Sequence, residues 1–166
     1  MSSSESLKEI YIDEMADLWS ANDQMQRVMK TLSEKASNKK LKDLLAQSET
    51  GIAKHTATLK SVLESQGGKV ATEHCKGMEG IVAEAKKHTS EDDVEGSLRD
   101  LVIMAQYQRM SHYGLAGFGT AAAYAAALGQ KDDETKLKSI VKDIYKADEY
   151  LSHMAEQAEK AVAKSA

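Results

Sequence analysis

Seven polar side chains fall at helical positions that otherwise carry apolar residues, so they are the best candidates for chemistry in this sequence. At about 100° per residue, each lies within the apolar stripe of its predicted helix. Burying charge is costly unless it is paired, so interior carboxylates, imidazoles and a guanidinium should contact one another or an ion. The seven residues, spread over four helices, are Glu14, Asn22, Ser48, His55, Arg109, His112 and Asp148.

Two kinds of site are compatible with this set. In the first, the seven residues form a hydrogen-bonded polar network inside the protein and hold no metal. In the second, His55, His112, Glu14 and Asp148 bind a single iron or manganese ion, because imidazole and carboxylate groups are common ligands of these metals. Arg109 favours the first interpretation, since its positive charge would repel a cation. The sequence therefore predicts no catalytic residue, no metal and no cofactor.

The elements that position these residues are predicted to be helices throughout. The chain has no proline, and Ala, Leu, Met, Glu and Lys, which favour helix, are abundant. Ser37, and either Thr89 or Ser90 followed by an Asp in the first turn, are predicted helix N-caps, and Gly67 and Gly129 are predicted helix ends. Apolar residues recur at 3.6-residue spacing in five segments, at about 5–35, 39–64, 73–87, 91–128 and 133–164.

The order and lengths of these helices predict an all-α fold. Two long hairpins are joined by a connection that holds the short third helix, which is the ferritin-like four-helix bundle with one long crossover. No repeat or linker divides the chain, so residues 1–166 are predicted to form one domain.

Composition and charge argue against some partners and locations for this protein. The formal net charge is −4 and the sequence pI is about 5.8, which argues against nucleic acid as a partner. No apolar run approaches the roughly 20 residues of a membrane span. The single cysteine, Cys75, cannot form an internal disulfide, and no signal peptide is evident, so a cytoplasmic location is predicted.

Three motifs resemble those of the YciF-like stress proteins, the DUF892 group of ferritin-like proteins. They are "DEMADLWSANDQM" at 13–25, "CKGMEGIVAEA" at 75–85 and "AQYQRMSHYGLAGFGT" at 105–120. The resemblance covers nearly the whole chain. It implies a ferritin-like bundle, usually dimeric, that is associated with bacterial stress responses.

The departures from the family pattern concern its carboxylates. The family has Glu where this chain has Asn22, Ser111 and Gly114, and of the Glu-rich segment around 48–51 only Glu49 is kept. A ferritin-like di-metal centre needs carboxylates from several helices. The resemblance therefore implies a degenerate metal site, in which a former metal-binding helix now carries Ser and Gly.

Two functions remain open on this basis. The first is a non-catalytic, stress-associated protein that acts through binding or assembly. The second is a metal-binding oxidase or a protein that handles iron or peroxide through the reduced set of histidines and carboxylates. A homodimer is predicted from the family resemblance and from apolar residues beside the inner stripes, namely Ile10, Trp19, Leu44 and Val62.

Overall fold

The computed structural model describes residues 6–91 and 94–165 as five α-helices with no strand in these ranges. This confirms the predicted all-α class, and the four long helices with a short one in the connection confirm the predicted bundle. The predicted end of α1 and the predicted start of α2 agree with the structure, and the other boundaries differ by one to five residues. The helices are α1 (Leu7–Lys35), α2 (Lys39–Ser65), α3 (Lys76–His88), α4 (Gly96–Ala127) and α5 (Lys131–Ser165).

The helices pack unevenly around the bundle axis. Helices α1 and α2 form one close hairpin, and α4 and α5 form another. The two hairpins meet mainly through α1 and α4, and α3 lies against both of these helices. Helices α2 and α5, by contrast, contact each other over only a short stretch. One side of the bundle is therefore covered and tightly packed, whereas the side between α2 and α5 is open.

Helix ends follow local capping rules with two departures from the predictions. Gly67 and Gly129 adopt φ of 88° and 72°, as predicted for residues that end helices. Asn38, and not Ser37, caps α2 through its side chain. Thr89 is the C-cap of α3 and not the N-cap of α4, because α4 begins later, at Gly96. The predicted first-turn residues Asp92 and Asp93 lie outside the described part of the chain.

Asp100 explains why Ser37 is not the cap. Its Oδ1 accepts the Ser37 backbone N–H at 2.7 Å, while Oδ2 accepts the Ser37 hydroxyl at 2.6 Å and the Asn38 N–H at 2.9 Å. Asp100 is only 3% exposed. Carboxylates that accept several backbone N–H groups form strong hydrogen bonds. This residue, which the helical pattern gives no reason to single out, fixes the turn between α1 and α2 onto α4.

The apolar residues predicted to lie beside the inner stripes divide into two groups. Ile10 is 38% exposed, and Trp19 is half-buried. Leu44 and Val62 are buried within the chain, because each joins one of the two core clusters. Of these four residues, only Ile10 and Trp19 therefore contribute to the solvent-accessible apolar surface. None of the helices that the structure describes combines the length and apolar character required to cross a membrane.

Candidate functional site

The open side of the bundle contains a cavity of about 880 Å³ between α2 and α5. Its volume falls within the range of about 300–1,000 Å³ that is usual for small-molecule sites. All four long helices line it, and the lining residues Asn22 of α1 and Tyr107 of α4 are each only 4% exposed. The cavity exists because α2 and α5 stand apart while α1 and α4 remain in contact.

The floor of the cavity is polar and carries no charged group. Tyr107 donates its hydroxyl hydrogen to Ser48 Oγ at 2.7 Å and is also hydrogen-bonded by Ser111. Asn22 donates from Nδ2 to Thr56 Oγ1 at 3.4 Å. Burial raises the pKa of Tyr107, so its hydroxyl stays neutral. The floor therefore offers hydroxyl and amide groups to a ligand.

The mouth of the cavity is rich in positive charge. Its two aspartates each have a partner: Asp143 lies 3.3 Å from His55 Nε2, and Asp43 pairs with Lys39 at 2.7 Å. Within the described residues, no carboxylate lies within salt-bridge distance of any lysine that lines the cavity. These lysines are Lys40, Lys54, Lys136 and Lys146.

The seven predicted network residues do not come together in one network. Asn22, Ser48 and His55 line the cavity, whereas the other four lie elsewhere. His112 Nε2 contacts Asp148 Oδ2 at 3.1 Å. Among the described residues, this is the one ion pair or hydrogen bond that joins two of the seven. The His112 side chain is 59% exposed, so this pair joins α4 to α5 at the surface.

Arg109 does not lie in the bundle interior, contrary to the sequence interpretation. It is exposed, and no described carboxylate lies within salt-bridge distance of it. Ala105, one helical turn before Arg109, is only half-buried, so this side of α4 is not its inner face. The buried face instead includes Gln106, Tyr107 and Met110. Apolar residues occur around most of α4, so periodicity alone did not identify its inner face.

Glu14 lies near a second polar cluster, on the side that α3 covers. Burial, and then the negative charge of Asp17, raises the pKa of Glu14. Tyr113 donates to Asp17 Oδ2 at 3.5 Å, and its hydroxyl oxygen lies 3.0 Å from Cys75 Sγ. Burial raises the pKa of Cys75, although its hydrogen bond with Tyr113 acts in the opposite direction. The buried thiol is therefore protonated at neutral pH and serves as the N-cap of α3.

The residues present do not fit a di-metal centre. Across the described chain, no three His, Cys, Asp or Glu side chains are grouped so as to hold a metal ion. The alternative ligand set of His55, His112, Glu14 and Asp148 is accordingly divided among different parts of the bundle. Three positions at which the resemblance implies Glu line the cavity, and they are occupied by Asn22, Ser111 and Gly114. Of the segment that is Glu-rich in the family, Ser48 and Gly51 also line it, whereas the retained Glu49 does not.

The sequence matches the family described as Domain of unknown function (DUF892) over residues 6–164. The chain belongs to the DUF892 family. It is 27% identical over 150 residues to Protein YciF of Escherichia coli strain K12, covering 90% of both chains. The predicted family is thereby confirmed.

Solved structures that resemble this DUF892 chain have the same fold. The crystal structure of the E. coli stress protein YciF matches with a TM-score of 0.88 and 25% identity over 94% of this chain and 98% of that one. The protein YcfI from Rhodopseudomonas palustris matches with a TM-score of 0.85 and 23% identity, over 92% and 98%. A ferritin-like diiron-carboxylate protein from Bacillus anthracis matches with a TM-score of 0.72 and 12% identity, over 91% and 99%.

Sequence reasoning missed the most informative residues of this DUF892 cavity. Tyr107 joins Ser48 to Ser111, but it was not singled out, because an aromatic residue in an apolar stripe is usually core packing. Lys54 and Lys146 lie on the polar faces of their helices, where lysine is expected. Only the separation of α2 and α5 makes them part of a site.

Proposed function

We propose that this DUF892 member is a non-catalytic, stress-associated protein in which a cavity with an uncharged polar floor has replaced the metal centre of its ferritin-like relatives. Similarity to the E. coli stress protein YciF supports the association with stress. The main observation in support of a lost metal centre is that Asn22, Ser48, Ser111 and Gly114 provide no carboxylate. These positions line one cavity and supply an amide, two hydroxyls and a hydrogen atom.

Electrostatics supports this proposal. Two divalent cations inside a four-helix bundle need roughly four carboxylates to balance their charge and bridge them. Neutral hydroxyl and amide groups supply oxygen atoms but no compensating charge. The lysines at the mouth would also repel an incoming cation. Asp43 and Asp143 line the outer part of the cavity, but they are already paired with Lys39 and His55.

Elemental analysis tests the proposal directly. Protein is produced in medium containing iron and manganese and purified without chelator, and bound metal is counted per chain. We expect substoichiometric metal and no change in melting temperature when Fe²⁺ or Mn²⁺ is added. Two equivalents per chain would refute the proposal, and one equivalent would favour the alternative of a metal-handling protein with a reduced site.

A matched gain-of-site variant shows that the measurement can detect binding. The triple substitution Asn22→Glu, Ser111→Glu and Gly114→Glu restores carboxylates at three cavity positions. Uncompensated interior carboxylates destabilise a fold, and a bound cation relieves that cost. We therefore expect the variant to melt below wild type without metal and to gain stability on addition of Mn²⁺.

We also propose that the protein works as a cytoplasmic homodimer. The family resemblance supports this assembly, as does an exposed apolar patch at the start of α1. Leu7 and Ile10 are each 38% exposed and, three residues apart, lie on one face of the helix. Light scattering on wild type and on Ile10→Glu tests the dimer. We expect a dimeric mass for wild type, a smaller mass for Ile10→Glu, and an unchanged mass for the exposed control Ala83→Glu.

A further inference from the structure

The walls of the cavity are apolar, in contrast to its neutral polar floor and positively charged mouth. Apolar side chains from three helices form the walls, so a ligand that fills the space must present apolar surface to them. The principal wall residues are Met25, Leu44, Ile52, Ile140, Ile144 and Ala147.

Two of the mouth lysines lie at the same height along the bundle. Helices α2 and α5 are antiparallel, because His55 contacts Asp143 at 3.3 Å and Gln66 contacts Asp133 at 2.8 Å. Lys54 precedes His55 by one residue, and Lys146 follows Asp143 by three. At about 1.5 Å per residue, both are displaced in the same direction, by roughly 1.5 and 4.5 Å. The two lysines therefore lie on opposite edges of the mouth at nearly the same level.

The lysine pair lies about 9 Å along the bundle from the hydrogen-bonded hydroxyl groups of the floor, because Lys54 follows Ser48 by six residues on α2. Gly114 contributes to the floor at the level of the lysines, since a Cβ built on it would lie 3.7 Å from Ile144 Cδ1. From this level the cavity continues toward Leu44 and Tyr150 between its apolar walls, with the Ser48 and Tyr107 hydroxyls on its floor. Lys40 and Lys136 line the cavity farther along the bundle, so Lys54 and Lys146 are the two of its four lysines that lie at one level.

The geometry points to a binding site for a small organic anion with an apolar body, typified by an aliphatic carboxylate. We infer that the carboxylate lies between Lys54 and Lys146, while its chain lies between the apolar walls in the direction of Leu44. The charge complementarity is local, because the protein as a whole is acidic, with a formal net charge of −4. This inference rests on the proposed loss of the metal centre, since cations at the floor would occupy the same space.

Binding of decanoate tests the inference, with two probes that each carry half of the proposed chemistry. Acetate supplies the carboxylate without the chain, and decanol supplies the chain without the charge. Isothermal titration of the full chain should give saturable decanoate binding with a Kd on the order of 100 μM or tighter. Decanol should bind more weakly, and acetate should not bind detectably. The backbone amide signals of Gly51 and Gly114 should shift in ¹⁵N-correlated spectra, whereas that of Gly119 should not.

Two variants test the position of the ligand. The double substitution Lys54→Gln and Lys146→Gln should weaken decanoate binding by roughly 10-fold and leave decanol unchanged, as expected for two partly exposed charges. The control Lys42→Gln and Lys142→Gln makes the same change in net charge on exposed positions of the same helices, outside the cavity. It should bind decanoate like wild type.

The variant Gly51→Leu fills the cavity without affecting the packed core. A Cβ at Gly51 meets nothing within 4 Å, and Gly51 lines the cavity from α2. Leucine also favours helix more than glycine does, so the variant should fold. Gly119→Leu is the matched control, because a Cβ at Gly119 also meets nothing within 4 Å and this residue does not line the cavity. We expect Gly51→Leu, and not Gly119→Leu, to abolish decanoate binding.

Several results would overturn the inference. These are the absence of saturable decanoate binding up to the millimolar range, equal binding by the Lys54/Lys146 variant, or equal binding by Gly51→Leu. If Gly51→Leu instead reduced the molecular mass in light scattering and decanoate had no effect, the cavity would hold a second copy of the chain. Metal analysis remains a separate readout. If the purified protein contains no metal and does not bind decanoate, this inference alone is refuted. Stoichiometric bound metal would instead refute the proposed function.

Discussion

The two sides of this bundle are built from the same four long helices but are packed differently. On the covered side, α1 and α4 are in close contact and α3 lies across them. There, a Cβ on Gly117 would come within 2.6 Å of Leu18 Cδ1. On the open side, α2 and α5 diverge around a cavity of about 880 Å³. Four-helix packing therefore leaves a ligand-sized space where one pair of helices is not held together by a further element.

Polar residues differ between the two sides in the same way. On the covered side, Ser20 Oγ accepts the Cys75 N–H at 3.0 Å, and Gln24 donates to the Cys75 carbonyl at 3.0 Å. These bonds connect α1 to the start of α3 and have a structural role. On the open side, Tyr107 hydrogen-bonds to Ser48 and to Ser111 on the cavity floor. The first set holds helices together, whereas the second set lines a space that solvent can reach.

The largest effect is expected where α1 and α4 are closest. Gly117→Val would place two methyl groups against the buried Leu18, and overpacking of this kind costs about 2–3 kcal/mol. Gly119→Val, on an open part of the same helix, should cost much less. Urea unfolding of both variants measures the difference. Equal losses for the two variants would show that the covered side is no more tightly packed than the exposed surface of α4.

The next effect concerns hydrogen bonds on the two sides. Ser20→Ala removes the acceptor of the buried Cys75 N–H, and an unsatisfied buried donor costs about 1–2 kcal/mol. Ser48→Ala removes the acceptor of the Tyr107 hydroxyl, but water in the cavity can replace it, so the loss should be smaller. Chemical unfolding of both variants provides the comparison. A greater loss for Ser48→Ala would reverse the structural roles assigned to the two sides.

Glu14 gives a smaller, pH-dependent effect. Its pKa is raised in the folded protein by burial and by Asp17, so ionisation of this carboxyl at neutral pH opposes folding. Glu14→Gln should therefore stabilise the protein at pH 7, by less than about 1 kcal/mol because the group is only half-buried. Below about pH 4 the carboxyl is protonated in both states, and the gain should vanish. Unfolding curves at pH 7 and pH 3.5 measure it, and a gain that persisted at low pH would exclude the electrostatic cause.

The smallest effect is expected at Arg109. The sequence interpretation placed it in an interior network, where its removal would leave a buried carboxylate unpaired. Because Arg109 is exposed, Arg109→Ala should change the unfolding free energy by no more than about 0.5 kcal/mol. A thermal melt compared with wild type measures the change. A loss of several kcal/mol in unfolding free energy would support the interior network and contradict the observed orientation of α4.

The sequence by itself determined the helical class, the five helices and the points at which α2 and α4 end. These features depend on local physics, namely helix propensity, 3.6-residue apolar spacing and the freedom of Gly67 and Gly129 to adopt positive φ. The sequence motifs also identified the family and the missing carboxylates at Asn22, Ser111 and Gly114. Helix boundaries were less certain where the chain connects α3 to α4, because no side chain caps α4 at Glu95.

Only the tertiary structure decided which polar residues share a site. Periodicity identifies the buried side of a helix only when apolar residues are confined to one face. On α4 they occur on most faces, so the apolar pattern could not show that Arg109 is exposed and Tyr107 is buried. Nor does any local pattern give the distance between two helices that are far apart in sequence. The separation of α2 and α5 depends on how side chains such as Leu18 pack between α1 and α4 and on where α3 crosses them. That separation creates the cavity and places Lys54 and Lys146 at its mouth.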